Sequence, residues 1–310
     1  MKRLVGVMAI ALLAFCGCQR GSDRNAGRPR IALVLKTLNN PFFIDMQRGA
    51  EEAARKLGVD LIVQAAEREI DVDKQMQIVE NLIQSKVDAI CITPSGSREI
   101  VPAVVKANQA HIPVVIVDTR VDAAALKEAG GVVASFIGSD NFEGGKLAGE
   151  FIVKALSGKG NIAILEGIPG HETGDSRLRG FHSVVDGQTG LKVVASQPAN
   201  WERDQGFNVF QNILQSHPDL QAVFACSDLM ALGALEAIRA AKRGDIVVVG
   251  FDAFNEAQAA IKAGSMHATI AQSPSTMGSL AVENALRALR GEQVQENIQV
   301  NITLVTKERL

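Results

Sequence analysis

Four residues in one short stretch carry the first chemistry of this chain: Lys36, Asn40, Phe42 and Phe43, in the segment KTLNNPFF that follows the apolar run IALVL at residues 31–35. An ammonium, an amide and two adjacent rings are an odd set for a simple connection, because turns prefer small polar residues. Aromatics make up only 4% of the chain, with no Tyr and one Trp, so each ring is informative. Further residues stand at comparable places: Asp118 closes IPVVIVD with Arg120 two positions on, Arg177 lies in TGDSRLRGF, and Trp201 in SQPANWERDQG. Ser227 follows QAVFAC, Asp252 closes DIVVVGFD, and Gln272 follows HATIA. Rings offer apolar faces, Lys and Arg only donate, carboxylates accept, and Asn and Gln do both, so the set suits noncovalent recognition of a small polar molecule. Singly, each has a plainer role: Asp as a helix cap, Phe as core, Arg as a solvated charge, Trp as the seat of the next helix. Their joint recurrence near the ends of apolar runs argues for a site.

The elements that must position these residues alternate in type. Short β-branched runs (IALVL, DLIVQA, DAICIT, PVVIVD) are separated by stretches at residues 43–57, 71–85 and 98–110 with apolar residues at i, i+3 and i+4. Near-continuous apolar strands between such helices predict parallel strands covered on both faces, in one doubly wound α/β unit ending near Asp118. A second series follows, with strands NIAILEG, LKVVAS, QAVFAC, DIVVVGFD and HATIAQ, a long helix at residues 274–289 and a last strand at residues 300–306. One unit needs only about five or six parallel strands, so the fold class predicted is two similar doubly wound parallel-sheet α/β domains. Gly130, Gly131 and the extended VVASFIGSDN read as a linker between them. Open α/β sheets bind ligands outside the carboxyl ends of their strands, which is where the polar residues above collect.

Several functions are excluded or left without support. With 34 acidic and 32 basic residues, net charge −2, nothing in the electrostatics favours nucleic acid. No HExxH or GxSxG occurs, and no GxGxxG follows the first strand. A phosphate loop ending at Gly145-Lys146 would need Gly at Asp140 and Ser or Thr at Leu147. The five histidines (His111, His171, His182, His217 and His267) have no ligand spacing, so no metal site, cofactor or catalytic residue is expected. Cys91 and Cys226 lie in apolar runs and read as buried small hydrophobes.

Lys2 and Arg3 ahead of an apolar run at residues 4–15 have the layout of an export signal too short to stay in a bilayer. Gly17-Cys18 with Phe15 upstream resembles a bacterial lipobox, which makes Cys18 the candidate lipidation site, residues 1–18 a lipoprotein signal peptide and the polar residues 19–30 a flexible tether.

TLNNPFF, IPVVIVD, GSDNFEGGKLAGE, SQPANWERDQG, HPDLQAVFA, LMALGALEAI, VVVGFDA and ATIAQSP, in order, resemble the periplasmic ribose-binding protein family over about residues 30–307. By that resemblance Asn40, Phe42, Phe43, Asp118, Arg177, Asp252 and Gln272 match ligand-contacting positions with the same residue type. Trp201 stands where the family commonly has Phe. Lys36 replaces a usually small polar residue and Ser227 an Asn. Thr119 stands where an arginine is usual, with Arg120 one step later. The resemblance implies two lobes, residues 31–139 with 273–299 and residues 140–272 with 300–310, that close by a hinge on a monosaccharide or small polyol. It implies a periplasmic or cell-surface location, a monomer, and delivery to the membrane permease of an ABC importer. Sugar chemistry agrees: C–H faces suit rings, and hydroxyls that donate and accept suit Asp, Asn, Gln and Arg. Lys36 and Arg177 offset Asp118 and Asp252, which favours a neutral ligand. Rival readings are a sensor presenting ligand to a membrane chemoreceptor or kinase, and a sugar-responsive repressor, which would need a basic DNA-binding segment ahead of Ile31.

Overall fold

The computed structural model describes residues 27–310. The expected signal peptide, Cys18 and most of the tether fall outside these residues. The first sheet opens with β1 (Arg30–Leu35), in which Ile31, Ala32, Leu33, Val34 and Leu35 are wholly buried. Helices on both faces of a parallel strand produce that pattern. There follow α1 (Pro41–Leu57), β2 (Asp60–Ala65), α2 (Val72–Gln84), β3 (Ala89–Ile92), α3 (Val101–Gln109), β4 (Val114–Val117), α4 (Ala123–Glu128) and β5 (Ser135–Ser139). The chain then crosses to a second unit of α5 (Asn141–Ala155), β6 (Gly160–Glu166), α6 (Glu172–Val185), β7 (Leu191–Pro198), α7 (Arg203–Ser216), β8 (Leu220–Ala225), α8 (Asp228–Ala241), β9 (Val247–Asp252), α9 (Asn255–Ala263) and β10 (Ala268–Ala271). It returns through α10 (Pro274–Leu289) and β11 (Asn297–Val300) before β12 (Thr303–Thr306) ends in the second unit.

Two six-stranded sheets result, in the orders β11-β5-β4-β3-β1-β2 and β12-β10-β9-β8-β6-β7. Every strand pair is parallel except β10 with β12. The two-domain α/β architecture expected from the strand count is the one observed, with an antiparallel edge strand added.

Two expectations are corrected. The stretch read as a linker contains β5, whose residues are all buried and which pairs with β4 and β11. The first unit therefore does not end near Asp118. Ser and Gly weaken the local signal in SFIGS, but a central position supplies burial and ladder bonds from both sides, and that context outweighs propensity. The single last strand expected at residues 300–306 is two strands, split at Asn301 and Ile302 where the chain changes sheet, and Val300 itself pairs with Ser139 of the first sheet.

The chain thus passes between the lobes three times: β5 to α5, β10 to α10, and β11 to β12. Asp140, in the first crossing, caps α5 by accepting from the Glu143 N–H at 3.0 Å, and Gln299 Nε2 reaches its other oxygen at 3.4 Å, tying two crossings together. Close helix pairs stiffen each lobe. A Cβ on Gly278 would fall 2.0 Å from the Met46 carbonyl oxygen, and one on Gly145 would fall 1.9 Å from that of Arg177. Bare backbone at these points lets α10 lie directly on α1, and α5 directly on α6, the helix that carries Arg177.

Candidate functional site

In the first lobe, Asn40 sets the geometry. It is the N-cap of α1: its Oδ1 accepts from the Phe42 N–H at 3.0 Å, which satisfies an otherwise orphaned donor, and Pro41 supplies a preset φ at the first helical position. Phe42 and Phe43 therefore lie in the first turn of the helix, buried edge to face with ring centroids 5.3 Å apart. The Asn40 Nδ2 donates to Glu69 Oε1 at 2.9 Å. Lys36 follows β1 and is 2% exposed, so its charge must be matched locally. Its Nζ donates to Thr119 Oγ1 at 2.8 Å and lies 3.5 Å from Asp118 Oδ2 and 3.8 Å from Glu69 Oε2.

In the second lobe, Arg177 is held rigidly. Its Nε donates to Asn141 Oδ1 at 2.9 Å, its Nη1 to the Cys226 carbonyl at 2.6 Å, and its guanidinium carbon lies 3.6 Å from the Phe251 ring centre. Trp201 packs its six-membered ring over Gly167, where a Cβ would meet Cζ2 at 1.9 Å. Its Nε1 is buried without a partner, as is the Oε1 of Gln272, whose Nε2 donates to Asp252 Oδ1 at 2.7 Å. Ser227 caps α8, accepting from the Met230 N–H at 3.4 Å.

All of these side chains meet. Lys36, Asn40, Phe42, Phe43 and Asp118 from one lobe, and Arg177, Trp201, Ser227, Asp252 and Gln272 from the other side, line one space between the lobes. Arg120 is the exception among the candidates. Asp118 has a left-handed φ of +64°, which turns Thr119 inward, while Arg120 stacks over Phe136 with its guanidinium carbon 3.6 Å from the ring centre and donates to Asn297 at 2.8 Å. It braces β11 instead of lining the space. Glu69 and Thr173 line the space although sequence reasoning missed them. Glu69 sits in the polar loop EREID, indistinguishable from surface until Asn40 and Lys36 are seen to hold it.

Three non-glycine residues of the lining, Asp118, Trp201 and Asp252, have φ of +64°, +67° and +119°. Such conformations cost free energy for bulky side chains and concentrate where a surrounding site imposes them. Electrostatics point the same way. Burial pushes the Asp252 carboxyl up to about 7, against the pull of Arg177 and the Gln272 hydrogen bond. Burial also raises Glu69, offset in part by Lys36 and Asn40. Asp228, behind Asp252, accepts from Thr269 Oγ1 at 2.7 Å and the Phe254 N–H at 2.8 Å. Orphaned donors and acceptors, aromatic faces and carboxylates converge here, an arrangement suited to binding a small polar molecule.

Two α/β lobes with a polar, ring-lined space between them and three chain crossings define a two-lobed solute receptor. Residues 31–293 match the family described as periplasmic binding protein domain, and the chain belongs to that family. It is 40% identical to the ribose import binding protein RbsB of Bacillus subtilis (strain 168), over 99% of this chain and all of that protein. It is 36% identical to the D-allose-binding periplasmic protein of Escherichia coli (strain K12), over 85% of each chain. A crystal structure of an ABC transporter periplasmic solute binding protein from Actinobacillus succinogenes 130z with bound D-allose superposes with a TM-score of 0.87 at 41% identity, covering 91% of this chain and 99% of that one. These relatives are substrate-binding components of importers, and the chain is a binding protein of that kind, not an enzyme.

Proposed function

We propose that this protein captures a monosaccharide between its lobes and presents it to the permease of an ABC importer, with aldoses of the ribose and allose type as first candidates. The observation that carries this reading is an interlobe space in which aromatic, charged and amide side chains of both lobes meet. The rings of Phe42, Phe43 and Trp201 offer faces to the C–H surface of a sugar. Around its rim, Asp118, Asp252, Glu69, Asn40 and Gln272 accept or donate, and Arg177 donates. The ligands named for the B. subtilis and E. coli relatives and for the A. succinogenes structure support the same chemical class.

Lys36 bears on which sugar is taken. Its ammonium donates to Thr119 and pairs with Asp118 and Glu69, and the side chain lines the first-lobe side of the space. A thermal-shift screen of the mature protein against pentoses, hexoses and sugar alcohols tests both points. A true ligand at about 100 times its dissociation constant adds about 2.7 kcal/mol of stability. The expected result is a shift by one or a few aldoses, with a changed order of preference in Lys36→Ser. No shift by any sugar would refute the reading.

The export signal and the lipobox-like Gly17-Cys18 support attachment of the mature protein to the membrane through a lipid on Cys18. Labelled palmitate should enter the protein in cells and be absent from Cys18→Ala; equal labelling of the two would exclude that anchor.

A further inference from the structure

We infer that Thr119 is a positioning residue that couples closure of the lobes to the orientation of Asp118; the inference rests on the sugar-binding reading of the interlobe space. Thr119 is fully buried, and three groups surround its hydroxyl: Lys36 Nζ at 2.8 Å, Asp118 Oδ2 at 3.0 Å and Thr173 Oγ1 at 2.9 Å. Thr173 belongs to α6 of the opposite lobe, so the last of these bonds crosses the cleft.

Hydrogen accounting fixes the direction of every bond. A lysine ammonium has only donors, so Lys36 donates to Thr119. A carboxylate only accepts, so the one hydroxyl hydrogen of Thr119 goes to Asp118. Thr119 can then meet Thr173 only as an acceptor, and the Thr173 hydroxyl must be the donor across the cleft. The Thr119 oxygen accepts two bonds and donates one, which uses its full capacity. Lobe contact, the buried ammonium and the sugar-facing carboxylate are therefore one continuous network.

The consequence is specific. When α6 approaches, the Thr173 hydroxyl completes the coordination of Thr119 and polarises the bond that Thr119 makes to Asp118. When the lobes part, Thr119 loses that donor and its hydrogen is no longer confined to Asp118. A second contact lies beside the first: the Glu172 N–H, in the opening turn of α6, points to Ser97 Oγ of the first lobe at 3.4 Å. The N-terminal turn of α6 is thus the surface that seats on the first lobe. Thr119 adds no new shape to the sugar space, so its loss should weaken all ligands alike instead of reordering them.

The test uses Thr119→Val, which keeps the shape and removes the hydroxyl, Thr119→Ser, which restores it, Thr173→Val, and the double valine variant. Binding of the sugars found active on the wild type is followed through Trp201, the one tryptophan of the chain and part of the lining. Thr173→Val should lose about tenfold in affinity for every sugar, the size of one buried hydrogen bond, and Thr119→Val, which also removes the bonds to Lys36 and Asp118, at least as much. Thr119→Ser should recover it, and the double variant should be no weaker than Thr119→Val alone, because that variant already lacks the bond that Thr173→Val removes. Unchanged affinity in Thr119→Val, a reordered sugar preference, or additive losses in the double variant would each overturn the coupling while leaving the sugar site intact. A wild type that binds no sugar would overturn the site reading and this inference together.

Discussion

At the N-terminus of α6, His171 is buried, its Nδ1 has no hydrogen-bond partner, and it lies near Ser95 and Lys36 of the first lobe. Burial, with Lys36 adding to it, lowers its pKa from 6.5 to about 3. Its neighbour Glu172 is turned toward Arg179 at 3.4 Å and does not offset this. Between pH 6.5 and 3 the unfolded chain binds a proton at His171 that the folded one refuses, so this residue makes stability fall as the pH drops below about 6.5. Asp252 acts oppositely: its raised pKa means the folded protein holds a proton between 3.8 and about 7, a contribution lost as pH rises through that window. Melting temperatures measured from pH 4 to 8 should therefore fall less steeply on the acid side in His171→Asn than in the wild type. Identical profiles would show that His171 titrates normally. At this scale the sequence was legible where a residue type was scarce or chemically matched: the paired Phe42 and Phe43, Trp201, and the carboxylates Asp118 and Asp252. It was not legible at Arg120, because the left-handed turn at Asp118 decides which neighbour faces inward, nor at Glu69, whose burial depends on partners far along the chain.

Among the elements, helix pairs that touch backbone to backbone set how firmly each lobe presents its side of the site. Gly278 in α10 meets Met46 in α1, and Gly180 in α6 meets the Phe142 carbonyl, where a Cβ would fall at 1.9 Å. Gly278→Ala should cost about 1–3 kcal/mol of stability, the range for forcing atoms into a well-packed core, read as a lower denaturation midpoint in urea. An unchanged midpoint would mean that α1 and α10 separate without penalty. The helices and most strands were visible from periodicity, since long amphipathic or wholly apolar segments carry their own signal. β5 and the split between β11 and β12 were not, because pairing with a distant segment defines them: β5 lies between its sequence neighbour β4 and β11, which arrives only after the chain has passed through the second lobe.

Across the whole molecule, the two lobes communicate through three chain crossings and through the space they share. In the proposed function, a ligand that touches Asp118 in one lobe and Asp252 in the other favours the arrangement in which both are within reach, by as much as its affinity for that arrangement exceeds its affinity for parted lobes. The space is built by neither lobe alone, so affinity must depend on both. Titration calorimetry of the tightest sugar against the wild type, Asp118→Asn and Asp252→Asn tests this most directly. At about pH 8, above the raised range of Asp252, the account predicts one sugar per wild-type chain and a loss of at least about tenfold in each variant, the scale of a hydrogen bond to a charged group. Full affinity in either variant would contradict it, because the sugar would then be held by one lobe alone.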